Sequence, residues 1–137
     1  MTATEIAAIL ATMALSIILA SPALAYCDNH GGNVMDCFEN HRLDRPGPVS
    51  GHHASGDVIA LKRATCVAAD STWLFHSARD AQGNRFSPGN TIILATFNHR
   101  FPRLAEHLAH DVFGPGVEEE WIGAGLARFG VPTCKGV

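Results

Sequence analysis

The sequence predicts a small α/β domain placed behind an N-terminal export segment. Three observations carry that expectation: an apolar run that ends in a small-residue pattern, four cysteines all downstream of it, and short strand-like runs interleaved with segments of helical character.

The N-terminal element comes first. From Ile6 to Ala20 the chain reads IAAILATMALSIILA, followed by Ser21, Pro22 and Ala23-Leu24-Ala25, the small-x-small pattern that a signal peptidase accepts. The expectation is a signal peptide over 1–25 and a single mature domain over 26–137. The segment before the run has no Lys or Arg and carries Glu5, so an uncleaved anchor is the rival, since about 20 apolar residues span a bilayer. Tyr26 is too large for the position ahead of a lipidated cysteine, which disfavours a lipoprotein. A periplasmic or secreted protein follows, touching a membrane only through an uncleaved N-terminal segment.

Charge and cysteine usage narrow the partners. A formal charge of −3 with no basic run excludes the usual electrostatic footprint of a nucleic-acid binder. No cofactor motif is present, and no cofactor is expected. Cys27, Cys37, Cys66 and Cys134 are an even set in a small exported domain, which reads as two disulfides. Three pairings are open. Cys27 with Cys37 and Cys66 with Cys134 is preferred, because the second bridge ties the C-terminal tail to the middle of the chain and removes loop entropy from the unfolded state.

The elements then follow in order. DNHGGN, 28–33, is turn-like, and 34–41 suits a short helix. DRPGPVSG, 44–51, is loop or extended, because its prolines and glycines oppose a helix. SGDVIALKR, 55–63, reads as a helix capped by Ser55 or Asp57 and burying Val58, Ile59 and Leu61. Strands are expected over 66–69 and 72–75, then a polar loop over 78–89. Asn90 is placed as the N-cap of TIILATFNH, and Pro102 in the first turn of RLAEHLAHDV, which Phe113-Gly-Pro-Gly116 ends. A last helix is expected with Glu118, Glu119 and Glu120 in its first turn and Trp121, Ile122, Leu126 and Phe129 on its apolar stripe, closing at Gly130. That stripe exceeds what so small a core needs, which leaves room for a homo-oligomer.

One arrangement points to specific chemistry. Gly31-Gly32 lies in a turn, Ser55 at a loop-to-helix junction with Gly56 after it, and His76 at the end of the strand TWLF. A hydroxyl needs a base within hydrogen-bond reach to become a nucleophile, and a tetrahedral oxyanion needs backbone amides aimed at it. Ser55, His76 and the amides of Gly31, Gly32 and Gly56 have those properties if the fold brings them together.

The same residues carry a resemblance. GGNV (31–34), G-x-x-A-S-G (51–56), CVAADSTWLFHSA (66–78) and the later pair Phe101-Pro102 resemble the Clp protease and crotonase-like superfamily, and more closely its small exported bacterial members. The likeness spans roughly Gly31 to Leu104. It implies a truncated version of that α/β fold, a serine hydrolase acting on an acyl or peptide bond, Ser55 as nucleophile, His76 as base, a glycine-pair oxyanion site, and a later acid to orient His76. Asp111 is the preferred acid, with Glu118 to Glu120 as alternatives. The chain departs from the pattern in having Ala54 before the serine and Gly56-Asp57 after it. A carboxylate at Asp57 opposes a developing oxyanion unless it points away.

Each residue also has a plain structural reading. Ser55 is then an N-cap, His76 a half-buried ring donating to a carbonyl, Gly31-Gly32 an ordinary turn, and Asp111 a helix-ending residue. Two other functions compete. Eight histidines, including His52-His53, His99 and the pair His107 and His110 three apart, raise a metal-binding domain, although no H-E-x-x-H or C-x-x-C accompanies them. An exported binding or structural domain that lost its chemistry is the third, with an unknown substrate or protein partner.

Overall fold

A computed structural model of the chain describes residues 27–28 and 31–135. The expected signal peptide over 1–25 lies outside the described residues. Among those residues no helix is long and apolar enough to cross a membrane.

The architecture mixes helices and short strands. Strands β1 (Cys27–Asp28) and β2 (Gly31–Gly32) form a minimal antiparallel pair. Helix α1 (Val34–Asn40) follows, capped by Asn33, whose side chain accepts from the amides of Met35 and Asp36. Strands β3 (Gly47–Val49) and β4 (His52–Ala54) lead into a 3₁₀ helix (Ser55–Arg63), then β5 (Ala64–Val67) and β6 (Thr72–Phe75). The order strand, strand, helix is thus repeated, and like strands stack: β3 runs parallel to β5, and β4 parallel to β6. Helix α2 (Ser87–Asn98) and helix α3 (Pro102–His107), which continues as a π-helical turn over Leu108–Phe113, cover the assembly.

The 3₁₀ helix is the centre of the core. Gly56 to Leu61 are all buried, so the segment is enclosed on every side rather than amphipathic. Val58, Ile59 and Leu61 join Trp73, Phe75, Ile93, Phe97, Leu104, Leu108 and Leu126 in one hydrophobic cluster.

Two disulfides join Cys27 to Cys37 and Cys66 to Cys134. The second fastens the tail beside β5, where the Val67 amide donates to the Pro132 carbonyl and the Cys134 amide to the Val67 carbonyl. The first ties β1 to α1.

Three expectations are corrected. The 118–129 segment is not one helix: Glu119–Ile122 forms strand β7, antiparallel to β6, and only Gly123–Phe129 is helical, as 3₁₀. The pairing of Trp73 with Trp121 overrides the helical pattern, leaving Ile122 exposed while Leu126 and Phe129 stay buried. Asn90 is not an N-cap, because α2 starts at Ser87 with Pro88 in its first turn. Neither Ser55 nor Asp57 caps the 3₁₀ helix, whose N-cap is Ala54 with no side-chain bond.

Candidate active site

Parallel pairing brings the two chemically interesting residues together. In the β4–β6 ladder His52 faces Thr72, His53 faces Trp73 and Ala54 faces Leu74. Ser55 directly follows β4, and His76 directly follows β6. Both therefore leave the carboxyl ends of adjacent parallel strands, the edge at which open α/β sheets place their ligands.

At that edge Ser55 Oγ lies 2.7 Å from His76 Nε2. The serine hydroxyl is thus engaged with an imidazole and not with the amides of its own helix. Ser55 has φ of 54°, the one positive φ outside glycine among the described residues. A left-handed residue at a strand-to-helix turn costs about 1–3 kcal/mol and persists only where surrounding structure enforces it. The turn swings the hydroxyl out of the strand line toward the neighbouring strand's end, as a nucleophile elbow does.

The other ring nitrogen assigns the tautomer. His76 Nδ1 is 2.9 Å from the Ser77 carbonyl oxygen, which can only accept. The proton of a neutral ring therefore sits on Nδ1, leaving the Nε2 lone pair to accept from the Ser55 hydroxyl. This is the form a general base requires.

The expected acids lie elsewhere. Asp111 Oδ2 is 3.0 Å from His107 Nδ1, and Glu119 binds His107 Nε2 and the Trp121 indole N–H. Glu118 and Glu120 are exposed, with Glu120 facing Leu74 across the sheet. The orienting position on His76 is filled by the Ser77 carbonyl.

Gly32 lies close to Gly56. A Cβ built on Gly56 would stand 2.9 Å from the Gly32 carbonyl oxygen and 3.0 Å from Cys37 Sγ. Only a glycine lets β2 and the disulfide approach the residue after Ser55 this closely. Gly31 is the preceding residue of the same two-residue strand.

Asp57 does not face the serine hydroxyl. The residue is 4 % exposed, and its carboxylate is shared by two imidazoles: Oδ2 lies 2.6 Å from His53 Nδ1 and Oδ1 lies 2.7 Å from His41 Nε2. The first contact bridges the Ser55 turn, joining the residue two before it to the residue two after it. His53 also stacks on Trp73 with ring centroids 4.3 Å apart, and its Nε2 is 2.8 Å from the Ser50 carbonyl oxygen. His41 Nδ1 reaches Asp44 Oδ2 at 2.6 Å. Burial pushes the Asp57 carboxyl up, but the bonds from His41 and His53 outweigh it and hold the group below its ordinary value. The bond to Asp57 raises His41, against a smaller opposing effect of burial.

Sequence reasoning missed His41, Asp44 and Asn90. Only the four-residue spacing of His53 and Asp57 was a readable signal, and it was masked by reading Asp57 as a cap.

Of the histidines raised as metal ligands, His52, His53 and His107 are engaged by other groups. His107 has a carboxylate on each nitrogen, His53 a carboxylate and a carbonyl, and His52 Nδ1 meets Thr72 Oγ1. Among the described residues, the group of possible ligands close enough to share an ion is Cys27, Cys37 and Asp57, and its cysteines are joined to each other.

No protein-family model, no curated protein and no solved structure matches this chain.

Proposed function

We propose that the chain is an exported serine hydrolase domain of Clp protease/crotonase-like type, acting on an acyl or peptide bond. The observation that carries the reading is the 2.7 Å contact between Ser55 Oγ and His76 Nε2, with Nδ1 held on an acceptor-only carbonyl. Supporting it are the positive φ of Ser55, the nearness of Gly32 to Gly56, and the repeated strand–strand–helix unit with like strands in parallel. Two disulfides fit an oxidising compartment, in line with export.

In this mechanism Ser55 Oγ attacks the acyl carbon while its proton passes to His76 Nε2. The imidazolium so formed keeps its Nδ1–H on the Ser77 carbonyl. The oxyanion is stabilised by the backbone amides of Gly31, Gly32 and Gly56. Nε2–H then protonates the leaving group as the C–X bond breaks, giving an acyl-serine. Water adds to the acyl carbon, losing its proton to Nε2; the C–Oγ bond then breaks, Nε2–H returns its proton to Ser55 Oγ, and the acid product leaves. Asp57 does not oppose the oxyanion, because its charge is consumed by His41 and His53.

The test is covalent. The oxidised protein is incubated with a fluorophosphonate, and the adduct is located by peptide mass spectrometry. Phosphonylation at Ser55 that disappears in Ser55→Ala and His76→Gln supports the reading. A folded wild-type protein that takes up no probe at Ser55 overturns it and favours a domain that kept the scaffold without the chemistry.

A further inference from the structure

A hydrolase of this kind ordinarily orients its histidine with a carboxylate, and here a backbone carbonyl stands in that position. What aims that carbonyl is therefore the open question at the site.

The Ser77 C=O and the Ala78 N–H belong to one peptide unit, which is planar, with its two dipolar ends pointing in opposite directions. The Ala78 amide donates to Asn90 Oδ1 at 2.6 Å. Asn90 Nδ2 donates in turn to Ser77 Oγ at 2.8 Å. One side-chain amide thus grips both residues of the unit whose carbonyl meets His76 Nδ1. Ala78 is held from its other side as well, since its carbonyl accepts from the Phe86 amide at 2.7 Å.

The helix that carries Asn90 is seated for this contact. Gly89 approaches so closely that a Cβ there would stand 2.6 Å from Ala78 Cβ. Phe97 and Ile93, farther along the same helix, are buried in the core, so the position of Asn90 is set by packing rather than by a free loop.

We infer that Asn90 is a positioning residue: through the Ser77–Ala78 peptide it aims the carbonyl that fixes the His76 tautomer, doing with a neutral amide what a triad acid does with a charge. The chain of donors runs from His76 Nδ1–H to Ser77 C=O, and from Ala78 N–H to Asn90 Oδ1. A peptide whose N–H is engaged is also a stronger acceptor at its C=O. Without Asn90 the Ala78 N–H loses the acceptor that fixes the tilt of the peptide, and a neutral His76 loses its preference for carrying the proton on Nδ1.

The inference rests on the hydrolase reading for its catalytic meaning, but the tautomer can be read without any reaction. Long-range ¹H–¹⁵N spectra of ¹⁵N-histidine-labelled protein, with His76 assigned by its loss in His76→Gln, report which ring nitrogen is protonated. Wild-type protein is expected to show the Nδ1–H form. Asn90→Ala is expected to shift His76 toward the Nε2–H form and to slow fluorophosphonate labelling by about a hundredfold, the cost of a misplaced catalytic group. Asn90→Asp, which keeps an acceptor for the Ala78 amide, is expected to recover the Nδ1–H form and most of the labelling rate. If Asn90→Ala does not fold, Asn90→Asp and Asn90→Leu, which preserves side-chain volume, give the same contrast between acceptor kept and acceptor lost.

Folded Asn90→Ala or Asn90→Leu with an unchanged Nδ1–H signal overturns the inference, even if labelling of wild type succeeds. A wild type that is never labelled, with the tautomer still moving on loss of the amide, overturns the hydrolase reading and leaves the positioning role intact.

Discussion

His76 and His107 are both half-buried imidazoles, yet their surroundings commit them to opposite tasks. His76 meets one hydroxyl and one carbonyl, so a neutral ring satisfies both contacts and still presents a lone pair to a proton. His107 meets Asp111 on one nitrogen and Glu119 on the other, while its ring stacks on Phe129 at 4.6 Å. Both of its partners are carboxylates, and neither is a hydroxyl that a base could activate. The difference teaches that the partners of a histidine, and not its place in a sequence pattern, decide whether it can act as a base.

The comparison breaks most visibly on reactivity. Ser55→Ala and His76→Gln are expected to reduce fluorophosphonate labelling by at least about a thousandfold, as loss of a nucleophile or its base does in serine hydrolases. His107→Gln should leave the labelling rate within about twofold, as expected of a site with no shared partner. Equal losses from His76→Gln and His107→Gln, in folded proteins, would remove the distinction.

Stability separates the regions next. Asp57 is the buried hub of two imidazoles, and Asp57→Ala strands both, an expected loss of about 3 kcal/mol in urea unfolding. Glu119 is half-exposed, and Glu119→Ala should cost only about 1 kcal/mol. A reversed order would place the stronger clamp at β7 rather than at the Ser55 turn.

The smallest effect is on pH dependence. His41 is raised above 6.5 in the folded state, so its contribution is complete below that value and is lost as pH climbs through the raised one. Asp57 is lowered below 3.8, so its contribution is complete above that value and is lost as pH falls through the lowered one. The network therefore stabilises most in mildly acidic solution, between those two ordinary values. Urea midpoints across pH should show this maximum in wild type and a flatter profile in His41→Gln. An unchanged profile in that variant would assign the maximum to other groups.

Much of the local structure was legible because short-range rules govern it. The short helix that begins at Val34, Pro102 at a helix start, and the strand-like TWLF behave as their residues dictate. The Ser55–His76 pair was readable as two junction residues in a recognisable order, but its geometry was not, because it depends on the parallel register of β4 and β6. EEWI reads as a helical first turn until Trp121 is seen against Trp73, a contact between residues distant in sequence. Asn90 was hidden for the same reason: one turn farther into α2 than a cap, it serves a peptide twelve residues upstream.

The loop between β6 and α2 is closed at its neck, where the Phe86 amide meets the Ala78 carbonyl and Arg79 bridges Arg85. Beyond that neck the tip, Asp80 to Asn84, is exposed and closes on itself: the Asp80 side chain accepts from the amides of Gln82 and Asn84, the Asp80 amide donates to the Asn84 carbonyl and the Gly83 amide to the Asp80 carbonyl. Residues can therefore be inserted or exchanged at the tip without passing strain to Ala78. This gives the chain a place where evolutionary change, or a designer's graft, can vary the surface while the Ser77–Ala78 peptide stays fixed.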